Sequence, residues 1–72
     1  MSSTSNFLAE MTNSPVVVKL QHGLEYHGVL ASIDGYMNVV LKDTAEMVEN
    51  NKVRNYEEVF LRGNNVLYIS QK

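Results

Sequence analysis

Three residues of the short segment IDGYMN have the side-chain types that can hold a small ligand. Asp34, Tyr36 and Asn38 supply a carboxylate, an aromatic ring and an amide in close succession. Asp34 followed by Gly35, between two apolar runs, is by itself an ordinary signal for a β-hairpin turn. The turn does not need the residues that follow it, so Tyr36 and Asn38 either pack against the protein or bind something.

A second short segment, RGNN, adds a cation in Arg62 and a glycine in Gly63. An unpaired base can stack on an aromatic ring and on a guanidinium plane, and an amide can pair with the edge of the base. The two segments together therefore have the parts of a pocket for one base of a single-stranded nucleic acid. In this pocket Tyr36 and Arg62 stack on the base, and Asn38 reads its Watson–Crick edge.

The remaining residues of the two segments have supporting roles in this hypothesis. Asp34 can hold Asn38 or Arg62 in place, and Gly35 and Gly63 can let the two backbones approach closely. A purely structural interpretation is also open. In that interpretation the Asp-Gly pair is a plain turn, the tyrosine packs across strands, and the arginine faces solvent or an acidic partner. The residue pattern alone favours this structural interpretation.

The composition limits the class of protein. The chain has 72 residues, which make one domain at most, and a domain of this size is only marginally stable alone. It has no cysteine, which excludes disulfides and thiolate zinc sites and leaves oligomerisation as the source of extra stability. The formal net charge is −2, which by itself argues against nucleic-acid binding because such domains usually carry a basic face.

Catalytic chemistry has little support in the sequence. His22 and His27 are separated by an odd number of positions, which puts them on opposite faces of a strand and prevents them from sharing a metal. There is no glycine-rich phosphate loop and no paired catalytic carboxylates. We therefore predict a protein that is not an enzyme, with no catalytic residues, no metal and no cofactor. No apolar run of membrane-spanning length and no secretory pattern occur, which predicts a nuclear or cytosolic protein without membrane contact.

The pattern of apolar residues predicts one short helix and five strands in a mostly β domain. Residues 1–6 are polar and predicted to be flexible, and residues 7–72 form the single domain. A helix begins after Asn6, with Phe7, Leu8 and Met11 on one side, and it ends before Pro15.

Strands are predicted over residues 16–20, 24–33, 36–48, 52–61 and 66–70, with turns at His22–Gly23 and Asn50–Asn51. A glycine inside the second strand, Gly28, predicts a bulge or a sharp bend. Five short antiparallel strands with such a bend predict a small, strongly bent sheet or barrel.

The last two predicted strands are apolar on both faces. The residues concerned are Val59, Phe60, Leu61, Val66, Leu67, Tyr68 and Ile69. A strand that is apolar on both faces is buried on both faces, which is difficult to arrange for the terminal strand of a small domain. Either the strand lies inside a closed barrel, or its edge pairs with another subunit. The pattern supports both alternatives equally.

Many residues of the chain also match the two sequence motifs of one RNA-binding family. The first Sm motif, about residues 16–48, is resembled at Gly23, Tyr26, Gly28, Leu30, Asp34, Met37, Asn38 and Leu41. The second Sm motif, about residues 55–70, is resembled by LRGNNV, from Leu61 to Val66. Because so many positions match in the right order over nearly the whole chain, the chain is similar to the Sm and Sm-like proteins that form RNA-processing rings.

This resemblance implies a fold, an assembly and a ligand. It implies a short N-terminal helix on a strongly bent five-stranded antiparallel sheet, a small barrel of the SH3-like kind. The fourth strand of one subunit would pair with the fifth strand of the next and close a ring of seven. Tyr36, Asn38 and Arg62 would line the central hole and take one nucleotide, typically a uridine, while Asp34 and Gly63 shape the two loops.

Within the family, the chain looks most like a subunit of the Sm-like ring on U6 small nuclear RNA. This implies binding to uridine-rich RNA 3′ ends beside other Sm-like subunits, in nuclear pre-mRNA splicing and in cytoplasmic mRNA decay. Isolated subunits can also form homo-oligomers. Two alternatives remain open: an F-type subunit of the core splicing particles, and a monomeric small-barrel adaptor that binds peptides by strand addition. F-type subunits commonly differ from this chain at the position of Gly63 and carry an acidic tail after the last strand. Both differences count against the F-type alternative.

Overall fold

The computed structural model describes residues 10–72. They form β1 Pro15–Leu20, β2 Leu24–Ile33, β3 Val39–Val48, β4 Asn51–Leu61, a 3-10 turn over Gly63–Asn65, and β5 Val66–Gln71. The strands lie in one sheet in the order β4-β3-β2-β1-β5, and every pairing is antiparallel. The predicted mostly β fold with five antiparallel strands is therefore confirmed.

The segment before β1 is described only in part. The predicted flexible residues 1–6, the domain boundary that follows them and most of the predicted helix lie outside the described residues. Of the helix's predicted apolar side, Met11 is described, and it is buried at 1% exposure. The backbone N–H of Asn13 donates to the carbonyl of Leu30 at 2.7 Å, which fixes this segment against β2.

The core follows from the alternation of side chains along each strand. In β1, for example, Val16 and Val18 are fully buried, whereas Val17 between them is only partly covered. The buried apolar residues are Met11, Val16, Val18, Leu30, Val39, Leu41 and Leu61. Val39 and Leu61 are partners in the β3–β4 ladder. Since Val39 begins β3 and Leu61 ends β4, the core anchors the two loops that carry the predicted site.

A bulge interrupts the pairing of β2 and β3 at Gly28 and bends the sheet there. The pairing shifts between His27 and Val29, and Asp43 on the facing strand has a left-handed backbone with φ +50°. A Cβ atom on Gly28 would lie 2.6 Å from Thr44 Oγ1 and 3.0 Å from the backbone carbonyl of Lys42. Only glycine allows the strands to approach this closely, so the bulge predicted at Gly28 is confirmed and has a packing cause.

A carboxylate joins three strands on the far side of this bend. Glu46 of β3 accepts hydrogen bonds from the phenol of Tyr26 at 2.9 Å and from the phenol of Tyr56 at 3.3 Å. Partial burial, together with the bond to Glu46, raises the pKa of Tyr26 to about 12. Tyr26 therefore remains a donor at neutral pH, and the two hydrogen bonds to Glu46 connect β2, β3 and β4 side by side.

Two predicted boundaries were wrong. The third strand begins at Val39 rather than at Tyr36, so Tyr36, Met37 and Asn38 belong to a loop. The turn between β3 and β4 consists of Glu49 and Asn50, with φ +50° and +71°, whereas it was predicted one residue later. Two left-handed central residues are typical of a type I′ hairpin, in which the next residue already pairs with the opposite strand.

The outer strands of the sheet are β4 and β5, and within residues 10–72 they do not pair with each other. The alternative of a terminal strand enclosed inside one closed barrel is therefore wrong for this chain. Phe60, Leu67 and Tyr68 expose 63%, 55% and 51% of their surface, whereas Val59, Leu61, Val66 and Ile69 belong to the core or pack against it. Within the described residues the sheet thus has two edges without a partner strand, and both carry exposed apolar side chains.

Candidate functional site

The loop between β2 and β3 is organised by one carboxylate. Asp34 Oδ1 accepts hydrogen bonds from the backbone N–H groups of Tyr36 at 2.8 Å and of Asn38 at 3.0 Å. The backbone of Asp34 also closes the loop, because its carbonyl accepts from Met37 N–H at 3.0 Å and its N–H donates to the carbonyl of Asn38 at 3.2 Å. Met37 takes a left-handed backbone, φ +66°, which turns the chain back into β3.

These bonds also fix the charge of the loop. The pKa of Asp34 is held below its ordinary value, first by the side-chain amide of Asn38 and then by the backbone N–H groups of Asn38 and Tyr36. Hydrogen bonds donated to a carboxylate favour its ionised form. Asp34 is therefore negatively charged at neutral pH, and that charge is used to hold the loop together.

Asn38 connects this loop to the 3-10 turn that follows β4. Its Nδ2 donates to Asp34 Oδ2 at 3.0 Å, and its Oδ1 accepts from the backbone N–H of Gly63 at 2.8 Å. One amide side chain therefore spans two loops that are 25 residues apart in sequence. Two partners leave Asn38 with one N–H and one oxygen lone pair for a ligand.

The two glycines of the predicted site differ. A Cβ atom on Gly63 would overlap the carbonyl oxygen of Tyr36, so the close approach predicted at Gly63 is present. A Cβ atom on Gly35 would meet nothing within 4 Å. Gly35 therefore has no close protein neighbour, and its close approach to a bound base stays a prediction.

The two stacking candidates are exposed beside this junction. Tyr36 exposes 84% of its surface, and Arg62 is also exposed. Arg62 has an extended backbone and immediately precedes Gly63, whose backbone contacts the carbonyl of Tyr36. Contact between these loops brings the backbone of Tyr36 close to that of Gly63, the residue after Arg62. Within residues 10–72, Arg62 forms no salt bridge.

Other chemistry has little structural support. His22 is exposed in a turn, and His27 lies in β2 with its Nε2 2.8 Å from Glu25 Oε1. In the described part of the chain, no group of three or more acidic, histidine or cysteine side chains could hold a metal ion. Over the same residues, no helix is long and apolar enough to cross a membrane.

Sequence reasoning missed two features of the site. It placed Tyr36 and Asn38 in a strand, and it did not foresee that Met37 is left-handed, a conformation that methionine rarely adopts. The predicted support of Asn38 by Asp34 is confirmed, since Asn38 Nδ2 donates to Asp34 Oδ2. The second missed feature is the bond from the backbone N–H of Gly63 to Asn38 Oδ1, through which this side chain joins two loops.

Comparisons with known proteins agree with this geometry. The sequence profile of the LSM domain family matches residues 6–71. The U6 snRNA-associated Sm-like protein LSm6 of Debaryomyces hansenii is 58% identical over 67 residues, which cover 93% of this chain and 79% of that protein. The protein of the same name from Lodderomyces elongisporus is 54% identical over 67 residues, which cover 93% of this chain and 84% of that protein.

Solved structures give the same result. An Sm protein of Pyrococcus abyssii, in complex with a uridine heptamer, superposes with a TM-score of 0.91 at 31% identity and covers 99% of this chain and 100% of its own. One chain of the SmAP1 heptamer of P. aerophilum superposes on this chain with a TM-score of 0.90 at 30% identity. The match covers 100% of this chain and 96% of that chain. The fold, both motifs and the sequence similarity agree, and the chain belongs to the LSM domain family of Sm and Sm-like proteins.

Proposed function

We propose that this chain is a subunit of a hetero-heptameric Sm-like ring that binds the uridine-rich 3′ end of U6 small nuclear RNA. It acts by binding and not by catalysis. The observation that carries the proposal is the Asn38 junction. By joining Asp34 to Gly63, it holds together two loops, one with the exposed Tyr36 and the other with the exposed Arg62.

Each residue of the junction has a distinct role in holding one uridine. Tyr36 stacks on one face of the base, and Arg62 stacks on the other face. Asn38 has one N–H and one lone pair left, which suit the edge of a uracil ring. Asp34 and Gly63 do not contact the base, since their bonds to Asn38 are what position it.

The two open edges of the sheet support the ring. An unpaired edge is a template for another strand, and closing a ring of subunits pairs every edge. The predicted interface residues divide into two groups in the structure. Phe60, Leu67 and Tyr68 are exposed and available to a neighbour, whereas Val59, Leu61, Val66 and Ile69 face the core of their own subunit. Heptamers are described for an archaeal relative of similar fold, which supports seven as the number of subunits.

The net charge of −2 is compatible with this function, provided that the ring acts as a unit. Contacts to phosphates dominate affinity for nucleic acid and make it depend on salt. In a ring these contacts are shared, so basic neighbours can supply them while this subunit contributes stacking and edge recognition. An acidic subunit alone is expected to bind RNA weakly.

The names of the relatives support the proposed RNA and the proposed compartment. The relatives at 54–58% identity are named for their association with U6 snRNA, which favours a nuclear splicing ring over an F-type subunit of the core particles. A related cytoplasmic ring in mRNA decay is the second place where the chain would act. Sequencing of RNA cross-linked to the chain in its own cells tests both, because reads at U6 3′ ends and at messenger 3′ ends are distinguishable.

The substitution Arg62→Ala tests the base site directly. Stacking contributes about 1–3 kcal/mol per base, so we expect the ring's affinity for oligouridine to fall at least fivefold without loss of the ring. Fluorescence anisotropy measures the affinity, and solution mass measures the assembly. Arg54→Ala, which removes another exposed arginine in β4, is the matched control and should change the affinity less. An unchanged affinity in the Arg62 variant would show that this subunit's pocket is idle.

A further inference from the structure

A cavity of about 200 Å³ lies where the turn between β1 and β2 meets the end of the 3-10 turn. Its lining residues are Leu20, Gln21, His22, Leu24 and Asn65. Strands β1 and β5 pair with Leu20 opposite Val66. Since Gln21 follows Leu20 and Asn65 precedes Val66, this pairing brings the two amide side chains to one place.

The lining has the chemistry of a site for a flat polar ring. Leu20 and Leu24 are half-buried apolar walls, and Gln21, His22 and Asn65 are exposed polar residues. Within residues 10–72 the side chains of these three polar residues form no hydrogen bond. Sites for drug-sized ligands usually have volumes of about 300–1,000 Å³, so the volume here suits a single ring.

The turn that carries His22 is held in one conformation. His22 and Gly23 both have left-handed backbones, with φ +65° and +75°. The carbonyl of Gly23 accepts a hydrogen bond from the backbone N–H of Glu49 at 3.1 Å, and Leu24 N–H donates to the carbonyl of Gln21 at 3.3 Å. The backbone of the turn that carries Gln21 and His22 is therefore fixed before any ligand arrives.

The 3-10 turn links the cavity to the proposed uridine site in sequence. Gly63, at the start of this turn, donates to Asn38, and Asn65, at its end, lines the cavity. A 3-10 helix advances about 2.0 Å per residue, so the backbones of the two residues are about 4 Å apart along the turn. Stacked nucleotides of one strand are spaced by about 3.4 Å, so neighbouring bases can reach both places.

We propose that this cavity is a second base subsite, which takes one nucleobase of the same single-stranded RNA next to the uridine held by Tyr36 and Arg62. Leu20 and Leu24 contact the face of the ring, and the amides of Gln21 and Asn65 bond to its edge. This inference rests on the proposed function, because the first base brings the strand to the cavity.

The test compares two neighbouring asparagines in the assembled full-length protein. Asn65 lines the cavity, whereas Asn64 is exposed in the same turn and does not. Uridine monophosphate can fill one subsite, and a uridine tetranucleotide can span both. We expect Asn65→Ala to weaken tetranucleotide binding about fivefold, the value of one hydrogen bond, and to leave binding of the mononucleotide unchanged. Gln21→Ala should act in the same way, and Asn64→Ala should change neither.

A second readout locates the base itself. A tetranucleotide that carries photoreactive 4-thiouridine should cross-link to the 21–24 segment as well as to Tyr36. If Asn65→Ala and Gln21→Ala bind both probes as the Asn64 variant does, and no cross-link falls on residues 21–24, the second subsite is wrong. If Arg62→Ala also leaves tetranucleotide binding unchanged, the proposed function fails as well, so the two failures are distinguishable.

Discussion

Two connections between neighbouring antiparallel strands of this protein are built in different ways. The connection between β3 and β4 uses two residues, Glu49 and Asn50, both left-handed, and Val48 pairs directly with Asn51. The connection between β2 and β3 uses five residues, 34–38. Since two residues are enough to reverse a chain, the three additional ones have another purpose.

The hydrogen bonds show what that purpose is. Around the two-residue turn, the side-chain bond present is a long one from Asn51 Nδ2 to the carbonyl of Glu49 at 3.4 Å. In the longer loop, the carboxylate of Asp34 and the amide of Asn38 form four bonds, one of them to a different loop. These bonds hold an exposed tyrosine in place without a ligand, which lowers the entropy lost on binding. The comparison shows that polar side chains of a loop can fix the shape of a binding site rather than serve only as contacts to the ligand.

The largest expected effect comes from removing the close contact between the loops. Gly63→Ala places a Cβ atom onto the carbonyl oxygen of Tyr36, so the two loops must separate. Overpacking of this kind costs about 1–3 kcal/mol, and the Asn38 junction is expected to break. Urea unfolding should show this loss of stability. The affinity for uridine should fall more than it does in the Arg62→Ala variant.

The matched control is Gly35→Ala, in which the added methyl group meets nothing within 4 Å. Its stability is expected to stay within about 0.5 kcal/mol of the original protein. If both alanine variants behave alike, the contact between the loops does not organise the site, and the contrast between the two connections loses its meaning.

Acidification should loosen the longer loop and spare the short turn. Because the folded pKa of Asp34 lies below its ordinary value, the carboxylate stabilises the loop fully above that ordinary value. This contribution is lost as the pH falls through the lowered folded pKa. Hydrogen exchange of the Tyr36 and Asn38 amides, compared with that of Asn51, follows the change.

The substitution Asp34→Asn removes the titrating group and serves as the control for this experiment. Its Tyr36 and Asn38 amides should exchange faster than in the original protein at neutral pH, with little further change on acidification. Equal pH dependence in the two proteins would mean that another group controls the loop.

The strands could be predicted from the sequence because burial imposes a period of two on them. Val16 and Val18 alternate with a less buried residue, and β2 begins and ends where predicted, at Leu24 and Ile33. The bend could also be predicted, since a glycine inside a strand usually marks a bulge or a close approach of two backbones. These features depend on local residue type, which a single sequence states directly.

The predicted site and the support of Asn38 by Asp34 could be inferred from the sequence, but the rest of the bonding could not. Tyr36 is of a type that favours strands, so a strand was the natural prediction for the segment that begins there. The segment is kept out of β3 by the left-handed backbone of Met37. It is also held by the two hydrogen bonds that the backbone N–H groups of Tyr36 and Asn38 donate to the carboxylate of Asp34. The bond between Asn38 and Gly63 joins distant parts of the chain, and residue type alone does not indicate which groups pair across such a distance.

The smallest expected effect compares left-handed residues in the two connections. Glu49 has φ +50°, a conformation that asparagine adopts more readily than glutamate, so Glu49→Asn should stabilise the protein by about 0.5 kcal/mol. For a domain of this size the melting temperature should rise by about 2–4 °C, with uridine affinity unchanged. Met37→Asn relieves the backbone in the same way at φ +66°, but it removes a half-buried apolar side chain from the organised loop. Stability should therefore fall in the Met37 variant and rise in the Glu49 variant. Calorimetry measures the stability of the two variants, and fluorescence anisotropy measures their affinity for uridine. A changed uridine affinity in the Glu49 variant would show that the short turn also belongs to the site.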